Sequence, residues 1–560
     1  MTSPAGPPRT AVSADSDGSW LLQPLDESGR PTAGPTRVPD DAALAAAVGR
    51  LEAGPVAVPG PRWVWRATTG VYPRLLAAGV RVARCHDLDH TEGLLLGHEG
   101  RWAELARHQP HLVAPDDDEP EQPSLLDELD RQDDVAAAVD RLPRLVADHS
   151  DQLQRLTAAR AANPRLPLLV AAESAAALTA AELGHVGLPW DGEAHDVILT
   201  DLLGARTTPP VRPERLQALA DQVAEALETP GLNVDSPTDV LRALRRAGLP
   251  VTSTGRGQLS RYDHPVVPLL RRYKELARLW TAHGWAWRST WVHRGRFHPE
   301  YVPAGVVSGR WATRGGGALQ IPKAVRGAVL APPGHRLVVA DAGQLEPRVL
   351  AALSRDPGMV AATEAGDLYT AIATTALGRA DARAEAKLAL LSAMYGGGTG
   401  SPALAALKRR FPAATALLEQ AATTGEDGGS VRSVLGRVCP PAPSSWLVDL
   451  DDAAAGSHAR SRGRFTRNFV VQASAADWAA VLVAGLRTRL ARLPAVDGWP
   501  PQLVFFQHDE VMVECAGTQV DDVVTAVAEA GAEATVLVLG DSGVRIPLTA
   551  AAVDSYADKQ

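Results

Sequence analysis

The feature that most limits how this chain can fold is a cationic stripe between two acidic groups far apart in sequence. Arg383, Lys387, Leu391 and Tyr395 recur at four-residue intervals. Because a step of four residues along an α-helix advances only about 40° around the helix axis beyond a full turn, the four side chains share one stripe. Positive charge suits phosphates, and a ring suits a sugar or base. The spacing predicts a helix, with Asp381 as its N-cap, that receives a nucleoside triphosphate. A solvated amphipathic helix has the same pattern.

An apolar run ending in Asp341 precedes this stripe. Leu337–Ala340 predicts a strand, and Ala342-Gly343 predicts a turn. The residues from Gln344 onward predict a helix with Pro347 in its first turn, where proline is tolerated. This order puts Asp341 at the rim of a sheet. Seen alone, it also fits an aspartate that only caps a helix.

A second acidic group follows the stripe. Leu503–Phe506 and Val511–Val513 flank Gln507–Glu510, which predicts a β-hairpin with a polar turn. Mg²⁺ usually takes one or two protein carboxylates and completes its shell with water and phosphates. Asp341 and Asp509, if neighbouring strands bring them together, would hold two ions ~3.5–4 Å apart. A solvated turn is the alternative.

Composition indicates an ordinary globular protein. A chain of 560 residues predicts two to four domains. Cys85, Cys439 and Cys515 lack metal-ligand spacing and suit core packing in a reducing compartment. We find no signal peptide at the N-terminus. We also find no apolar run near the ~18–20 residues of a membrane span, so we expect a cytoplasmic protein.

Charge is distributed unevenly along the chain. The net charge of -9, taken alone, disfavours binding to nucleic acid. Residues 256–348, however, carry 15 Lys/Arg against five Asp/Glu, a local +10, whereas residues 116–134 carry ten acids and one arginine, a local -9. A basic segment can bind a phosphate backbone whatever the global sign, although a solvated basic face remains the alternative.

The order of the segments predicts distinct parts. Short apolar runs at Trp20–Leu22, Val56–Val58, Trp63–Trp65 and Val80–Val82 predict strands of a small α/β unit. From about Pro164 the chain reads as longer helices. Among these, Ser236-Pro237-Thr238-Asp239 carries the N-cap hydroxyl and first-turn proline of a helix start.

Taken together, these motifs resemble those of the bacterial family A DNA polymerases, the DNA polymerase I group, in particular a small actinobacterial-type form with an exonuclease domain. The resemblance runs from about Pro164 to Asp558. It rests on Asp341–Ala351, the series from Arg383 to Tyr395-Gly396, His508–Glu510, Ser308–Arg310 with Leu319–Pro322, and Asn468 with Gln472–Asp477.

The resemblance implies an α+β right-hand polymerase behind an N-terminal α/β, RNase H-like exonuclease remnant. The implied parts are the remnant at 1–115, an acidic linker and connecting helix at 116–163, and the polymerase at 164–560. Within the polymerase, the thumb would span about 164–300, the palm about 301–350 and 440–560, and the fingers about 351–439.

The resemblance also implies roles for individual residues. Asp341 and Asp509 would bind two Mg²⁺ ions, with Mn²⁺ possible, and Glu510 would support them. The incoming nucleotide would meet Arg383, Lys387, Leu391, Tyr395, Gln344, Tyr369 and Glu346, the last excluding a ribose 2′-hydroxyl. Primer and template would meet Arg310, Arg464, Asn468, Gln472 and His508.

This sequence departs from the family pattern at several points. Leu391 replaces an aromatic residue, Tyr369 replaces a phosphate-binding histidine, and Ala342-Gly343 replaces a Tyr-Ser pair. The Asp-x-Glu pair that opens an exonuclease site is missing from the candidate strands of residues 1–115. His86–Asp89 is the nearest acidic cluster, and it fits a helix cap better. We therefore expect the 3′–5′ exonuclease to be lost.

The leading hypothesis is a monomeric, cytoplasmic, nucleoid-associated DNA polymerase that acts on primer-template DNA and dNTPs in replication or repair, without a membrane partner. A single-subunit RNA polymerase is one alternative, and Glu346 and Glu510 argue against it. A non-catalytic, polymerase-derived DNA-binding scaffold is another. Leu391, Tyr369 and the absent exonuclease acids motivate this second alternative.

Overall fold

The computed structural model describes residues 8–53, 60–109, 142–208, 210–397, 401–442 and 452–559. The chain divides into two compact units. The larger unit holds the chain up to His185, with Glu300–Ala312 and Val338–Ala551. The smaller unit holds Val186–Pro299, Thr313–Leu337 and the chain from Ala552. The domain boundaries given above remain predictions.

The larger unit begins with a mixed five-stranded sheet and its helices. The elements are β1 (Arg9–Ala14), β2 (Trp20–Leu25), β3 (Thr36–Val38), α1 (Asp41–Glu52), β4 (Arg62–Trp65), α2 (Thr68–Ala77), β5 (Cys85–Asp87), α3 (Leu88–Glu99) and α4 (Trp102–His108). The strand order is β3-β2-β1-β4-β5, and β1 runs parallel to β4. Because side chains alternate along a strand, Trp63 and Trp65 enter one core while Val64 enters another on the opposite face.

The strands predicted at Trp20–Leu22 and Trp63–Trp65 are confirmed. The strand predicted at Val80–Val82 is wrong, since the nearest strand is Cys85–Asp87. Val82 is buried, but its N–H donates to the Tyr72 hydroxyl (3.4 Å) and not to a neighbouring strand. The run Val56–Val58 lies outside the described residues.

Two helices connect this sheet to the rest of the larger unit, α5 (Leu142–Ala159) and α6 (Leu166–Val186). Leu166–Val186 and the later stretch Gly456–Leu490 are long and apolar enough to cross a membrane. The expectation that no apolar run reaches that length is therefore wrong. The most apolar 18-residue stretches of these two helices are 72% and 78% buried inside the protein, as in core helices.

The smaller unit is mainly helical. Its elements up to residue 297 are β6 (Leu188–Pro189), α7 (Gly192–Leu203), α8 (Glu214–Ala226), α9 (Pro237–Arg246), α10 (Arg256–Leu259), α11 (Val266–His283), α12 (Trp285–Trp291), β7 (Val292–His293) and β8 (Arg296–Phe297). The predicted start of α9 is confirmed, since the Ser236 hydroxyl accepts a hydrogen bond from Asp239 N–H. Trp190, Trp287 and Phe297 form an aromatic core with ring centroids 4.9–5.9 Å apart.

A four-stranded sheet and a group of helices make up most of the remaining chain and lie mainly in the larger unit, whereas the short strand that ends at Arg314 lies mostly in the smaller unit. The remaining elements are β9 (Glu300–Val302), β10 (Ala312–Arg314), β11 (His335–Ala342), α13 (Leu345–Ser354), α14 (Pro357–Ala362), α15 (Leu368–Leu377), α16 (Arg383–Tyr395), α17 (Pro402–Arg410), α18 (Pro412–Glu426), α19 (Asp452–Leu490), β12 (Gln502–Gln507), β13 (Glu510–Ala516), α20 (Val520–Leu539) and β14 (Leu548–Val553). The sheet has the order β12-β13-β11-β14. The long helix α19 packs against α18 and α20.

Two acids on the buried helix α6 are neutralised by arginines from distant parts of the larger unit. Glu182 accepts hydrogen bonds from the Arg487 guanidinium on α19, with Nε at 3.0 and 2.9 Å from the two carboxylate oxygens. Glu173 pairs with Arg437, whose Nε also lies 3.8 Å from Asp477. Both arginines are almost fully buried, so each pairing replaces lost hydration with direct contacts.

Asp477→Asn is expected to change how the free energy of unfolding depends on pH. Burial raises the pKa of Asp477 to about 6, against about 4 in an unfolded chain. A raised carboxyl pKa stabilises the fold below about pH 4, and that stabilisation is lost as the pH rises to about 6. Relative to the asparagine variant, the native chain should lose ~2–3 kcal/mol across this window.

Urea unfolding of both proteins at pH 4 and pH 7 measures this difference. Asp522→Asn is a matched control, because Asp522 lies exposed in the first turn of α20. A constant stability difference between native chain and Asp477→Asn at the two pH values would contradict the prediction.

Candidate active site

Asp341 and Asp509 lie side by side because β11 and β13 are neighbours in the four-stranded sheet. Asp341 is the penultimate residue of β11, and the following N–H, from Ala342, donates to the Asp509 carbonyl oxygen (3.0 Å). The predicted hairpin is confirmed with a tighter turn than expected, since Gln507 pairs directly with Glu510. His508 takes a left-handed conformation (φ 57°) to make this two-residue turn.

The paired carboxylates carry an electrostatic cost. Burial, followed by the nearby charge of Asp341, raises the pKa of Asp509 to about 7. A bound cation would relieve this repulsion. Among the described residues no group of three or more His, Cys, Asp or Glu side chains is arranged to hold a metal ion. Two carboxylates are nevertheless the number that Mg²⁺ commonly takes from a protein.

A buried arginine, Arg348 on α13, supports the turn that follows Asp341. Its guanidinium donates to the carbonyl oxygens of Gly343 (2.9 Å), Thr363 (2.6 Å) and Arg545 (3.0 Å). The side chain is only 1% exposed, and burial lowers its pKa. Sequence reasoning missed this residue. Its signal is a lone charge on the apolar face of a helix that includes Val349 and Leu350.

The predicted cationic helix is confirmed as α16, and Gly396 ends it in a left-handed conformation. Asp381 was expected to cap this helix, but it lies in a short 3₁₀ turn before it, and the N-cap is Ala382. Arg383 instead pairs with a different acid, Asp367, at 2.7 Å. Burial alone would raise the pKa of Asp367, but the hydrogen bonds from Arg383 and Thr370 together outweigh it, and the pKa falls to about 2.

Tyr369 lies next to both cations of the stripe. The Arg383 guanidinium carbon is 5.6 Å from the centre of the Tyr369 ring, and the Lys387 ammonium is 5.8 Å from it. Both distances are within the range of cation–π attraction. Gln344 joins this group, donating to Asp367 (2.9 Å) and accepting from Leu368 N–H (2.9 Å).

Glu346 is held by two partners. The Tyr395 hydroxyl donates to one carboxylate oxygen (2.8 Å), and the Arg310 guanidinium pairs with the other. The charge of Arg310 acts on His508 as well. Burial first, then Arg310, lowers the pKa of His508. Glu346 is therefore fixed between the end of the cationic helix and the acidic hairpin.

These residues surround a cleft of about 250 Å³ within the larger unit. Its lining includes eight of the predicted site residues: Arg310, Gln344, Glu346, Tyr369, Leu391, Tyr395, His508 and Asp509. Four other predicted site residues lie outside the lining. The sheet places Asp341 and Glu510 next to Asp509, and the Tyr369 ring contacts Arg383 and Lys387. Sequence reasoning missed the small residues Ala475 and Ala476, which also line the cleft, and Asp367, the partner of Arg383.

The three predicted DNA contacts on α19 share one stripe, since Arg464, Asn468 and Gln472 are four residues apart. Arg464 packs so closely on Gly396 that a β-carbon there would come within 2.6 Å of it. Burial, followed by the charge of Glu346, raises the pKa of Tyr395, and the neighbouring Gln472 side chain opposes this rise. Asn468 Oδ1 is buried without a hydrogen-bond partner among the described residues. This stripe therefore meets the C-terminal end of α16.

Comparison with known proteins gives consistent matches. The chain is 25% identical over 325 residues to DNA polymerase I of Chloroflexus aurantiacus, which covers 52% of this chain and 32% of that protein. It is 27% identical over 314 residues to the thermostable DNA polymerase I of Thermus filiformis, covering 50% of this chain and 35% of that protein. The chain thus spans about a third of the length of these curated relatives.

A solved structure extends the comparison to nearly the whole chain. The POL domain of Pol1 from M. smegmatis, in complex with DNA primer-template and dNTP, matches with a TM-score of 0.67 at 18% identity, covering 99% of this chain and 96% of that one. The predicted polymerase fold is therefore confirmed. The model of DNA polymerase family A matches residues 212–553, more than half of the chain. The chain belongs to DNA polymerase family A.

Proposed function

We propose that this chain is a template-directed DNA polymerase that adds dNTPs to a primer 3′ end in DNA replication or repair. The observation that carries this proposal is the meeting of Asp341 and Asp509 next to a cleft that Leu391 and Tyr395 of α16 line. The family and the fold support the same conclusion.

Asp341 and Asp509 are the proposed metal ligands, with Glu510, nearly buried at the start of β13, supporting them. The raised pKa of Asp509 fits a cation-binding site, because the buried carboxylates of Asp341 and Asp509 repel each other when no cation is bound. Two Mg²⁺ ions, or Mn²⁺, would activate the primer hydroxyl and stabilise the leaving pyrophosphate.

The cationic stripe is the proposed triphosphate site. Arg383 and Lys387 would stabilise charge on the phosphates. Since Arg383 is paired with Asp367, the triphosphate would replace that carboxylate as its partner, and Gln344 would retain Asp367. Tyr369 would bring its hydroxyl to the phosphates where the family has a histidine.

Glu346 is the proposed sugar discriminator. Arg310 and Tyr395 fix its carboxylate, so a ribose 2′-hydroxyl meets a side chain that cannot move aside. Leu391 gives the sugar an apolar contact without an aromatic face. Tyr395 would lie next to the base pair that is forming.

Glu346→Ala is expected to raise the ratio of rNTP to dNTP incorporation by on the order of a hundredfold, the size of effect that one hydroxyl group typically has in a fitted pocket. Single-nucleotide extension with matched rNTP and dNTP measures this ratio. Glu364→Ala, an exposed glutamate nearby, serves as the control. If the ratio does not change, Glu346 does not discriminate the sugar.

The remaining site residues are proposed DNA contacts: Arg310, Arg464, Asn468, Gln472 and His508. The unpartnered Asn468 Oδ1 and the exposed Arg464 supply an acceptor and a charge on one face of α19.

We also propose that residues 1–115 no longer act as an exonuclease. The nearest acids are already engaged, since Asp87 accepts from Thr68 N–H and Oγ1 (both 2.7 Å). We also propose that the protein is a monomer that is located in the cytoplasm and associated with the nucleoid.

A primer-extension assay with single dNTPs tests this function. A polymerase should add only the nucleotide complementary to the template, and only with a divalent metal. An RNA polymerase would prefer rNTPs, whereas a scaffold would bind the duplex without extending it in Mg²⁺ or Mn²⁺. A labelled single strand in the same reaction reports any exonuclease activity. Duplex binding without extension would refute the proposed activity.

A further inference from the structure

A second, larger cavity opens in the N-terminal part of the larger unit, away from the polymerase cleft. It measures about 930 Å³, within the ordinary range of small-molecule sites. It is bounded by the amino ends of β1 and β4, the middle of β5, and helices α5 and α6. The polar groups around it include Arg9, Arg62, Arg160, His86, Ser28 and Ser174.

Two arginines on the floor of this cavity are neighbours. Arg9 and Arg62 are register partners in the parallel β1–β4 pair, and like charges in that position destabilise a sheet. Arg62 donates to the Cys85 carbonyl oxygen (3.0 Å), and the charges of Glu27 and Asp26 act on Arg9 without a direct ion pair among the described residues. Burial, followed by the charge of Arg62, lowers the pKa of Arg9. The floor is therefore positively charged and incompletely neutralised.

His86 lines this floor, and His149 packs edge to face against it, with ring centroids 4.9 Å apart. Arg9 Nη1 lies 3.3 Å from His149 Nε2, while His149 Nδ1 is buried without a hydrogen-bond partner in the described part of the chain. His86 Nε2 is paired with the Gln152 side chain (3.0 Å). Burial lowers the pKa of His86 to about 4 and also lowers that of His149, so both rings are uncharged at neutral pH.

The side of the cavity formed by α5 and α6 is partly apolar. Leu153, Leu156, Pro167 and Val170 line it together with the polar Gln154 and Thr157. A cationic floor and a partly apolar wall match a ligand that has a phosphate at one end and a flat base at the other. Glu27 is the one carboxylate in the lining, so the cavity suits an anion and not a cluster of metal ions.

We propose that this cavity binds a phosphorylated nucleoside, with Arg9, Arg62 and Arg160 at the phosphate and the α5–α6 wall against the base. The ligand is either a free nucleotide or the unpaired end of a DNA strand. The site holds its ligand without hydrolysing it, because the floor offers cations where phosphodiester cleavage would need metal-binding acids.

Isothermal titration calorimetry of the full chain in EDTA tests this site with three probes: dAMP, deoxyadenosine and a short single-stranded oligodeoxyadenylate. Arg9→Gln and the exposed Arg160→Ala should each weaken binding of a phosphorylated probe about tenfold or more, because each removes a charge-assisted hydrogen bond. Arg50→Ala, an exposed arginine on α1, and Lys387→Ala on α16 should leave binding unchanged. Thermal melting confirms that each variant is folded.

The outcomes separate this site from the polymerase site. Binding that depends on Arg9 and Arg160 but not on Lys387 supports the proposal even if the chain has no polymerase activity. Tighter binding of the oligonucleotide than of dAMP, with the same arginine dependence, identifies a strand end as the ligand, and the reverse identifies a free nucleotide. The proposal is overturned if neither phosphorylated probe binds, if deoxyadenosine binds as tightly, or if Lys387→Ala alone removes binding.

Discussion

Alanine at Asp341 or at Asp509 is expected to lower the rate of primer extension on the order of a thousandfold or more, since each carboxylate, as a proposed metal ligand, would contribute several kcal/mol of charge stabilisation through the bound cations. The two residues lie on adjacent strands, so each variant leaves a single carboxylate where the chemistry needs two. Positioning and electrostatics supply most of the catalysis in such a site.

Single-turnover extension of a labelled primer measures this loss, and a parallel mobility-shift assay measures duplex binding. We expect duplex binding to survive, because the proposed DNA contacts on α19 are untouched. Asp522→Ala on α20 is the matched control and should extend normally. Full activity in either Asp341→Ala or Asp509→Ala would rule out this pair as the catalytic centre.

Arg487→Met is expected to destabilise the folded chain by ~3–5 kcal/mol, because it leaves the buried carboxylate of Glu182 without its counter-charge. Arg487 donates to Glu182 and to the carbonyl oxygen of Ala83 (2.8 Å). Burial by itself would raise the pKa of Glu182, but Arg487 holds that pKa below its ordinary value. Urea unfolding at pH 7, followed by circular dichroism, measures the loss.

Arg489→Met is the matched control two residues along the same helix. Arg489 pairs with Glu529 and Glu533, which are largely exposed, and such surface pairs contribute only ~0–1 kcal/mol. The double variant Arg487→Met/Glu182→Gln should recover part of the lost stability, because it removes the stranded charge. Equal losses in Arg487→Met and Arg489→Met would show that Glu182 does not depend on its buried partner.

Elements defined by short-range patterns could be predicted from the sequence. The stripe on α16, the start of α9 at Ser236 and the hairpin around His508 each depend on residues within a few positions of one another. Local prediction was wrong where burial did not coincide with a strand, as at Val80–Val82. It was also wrong where another residue took a capping position, as at Asp381.

Partners distant in sequence could not be predicted. The spacing of the cationic stripe does not indicate that Asp367 is the partner of Arg383. Composition likewise does not indicate that Arg348 donates a hydrogen bond to the turn after Asp341. The pairing of Arg9 with Arg62 is likewise a matter of strand register. Such contacts depend on which strands and helices become neighbours, and a linear pattern does not record that.

The amino-acid sequence by itself determined the chemical groups of this protein: two distant aspartates, a helix with cations on one face, and a glutamate between the aspartates in the chain. Periodicity and turn chemistry are enough for that, because they act over a few residues. Only the tertiary structure decided that β13 lies beside β11, which brings Asp509 to Asp341, that Arg310 and Tyr395 hold Glu346, and which buried charges gain a partner. Those outcomes depend on the packing of the whole unit, where desolvation sets the cost of every unpaired charge.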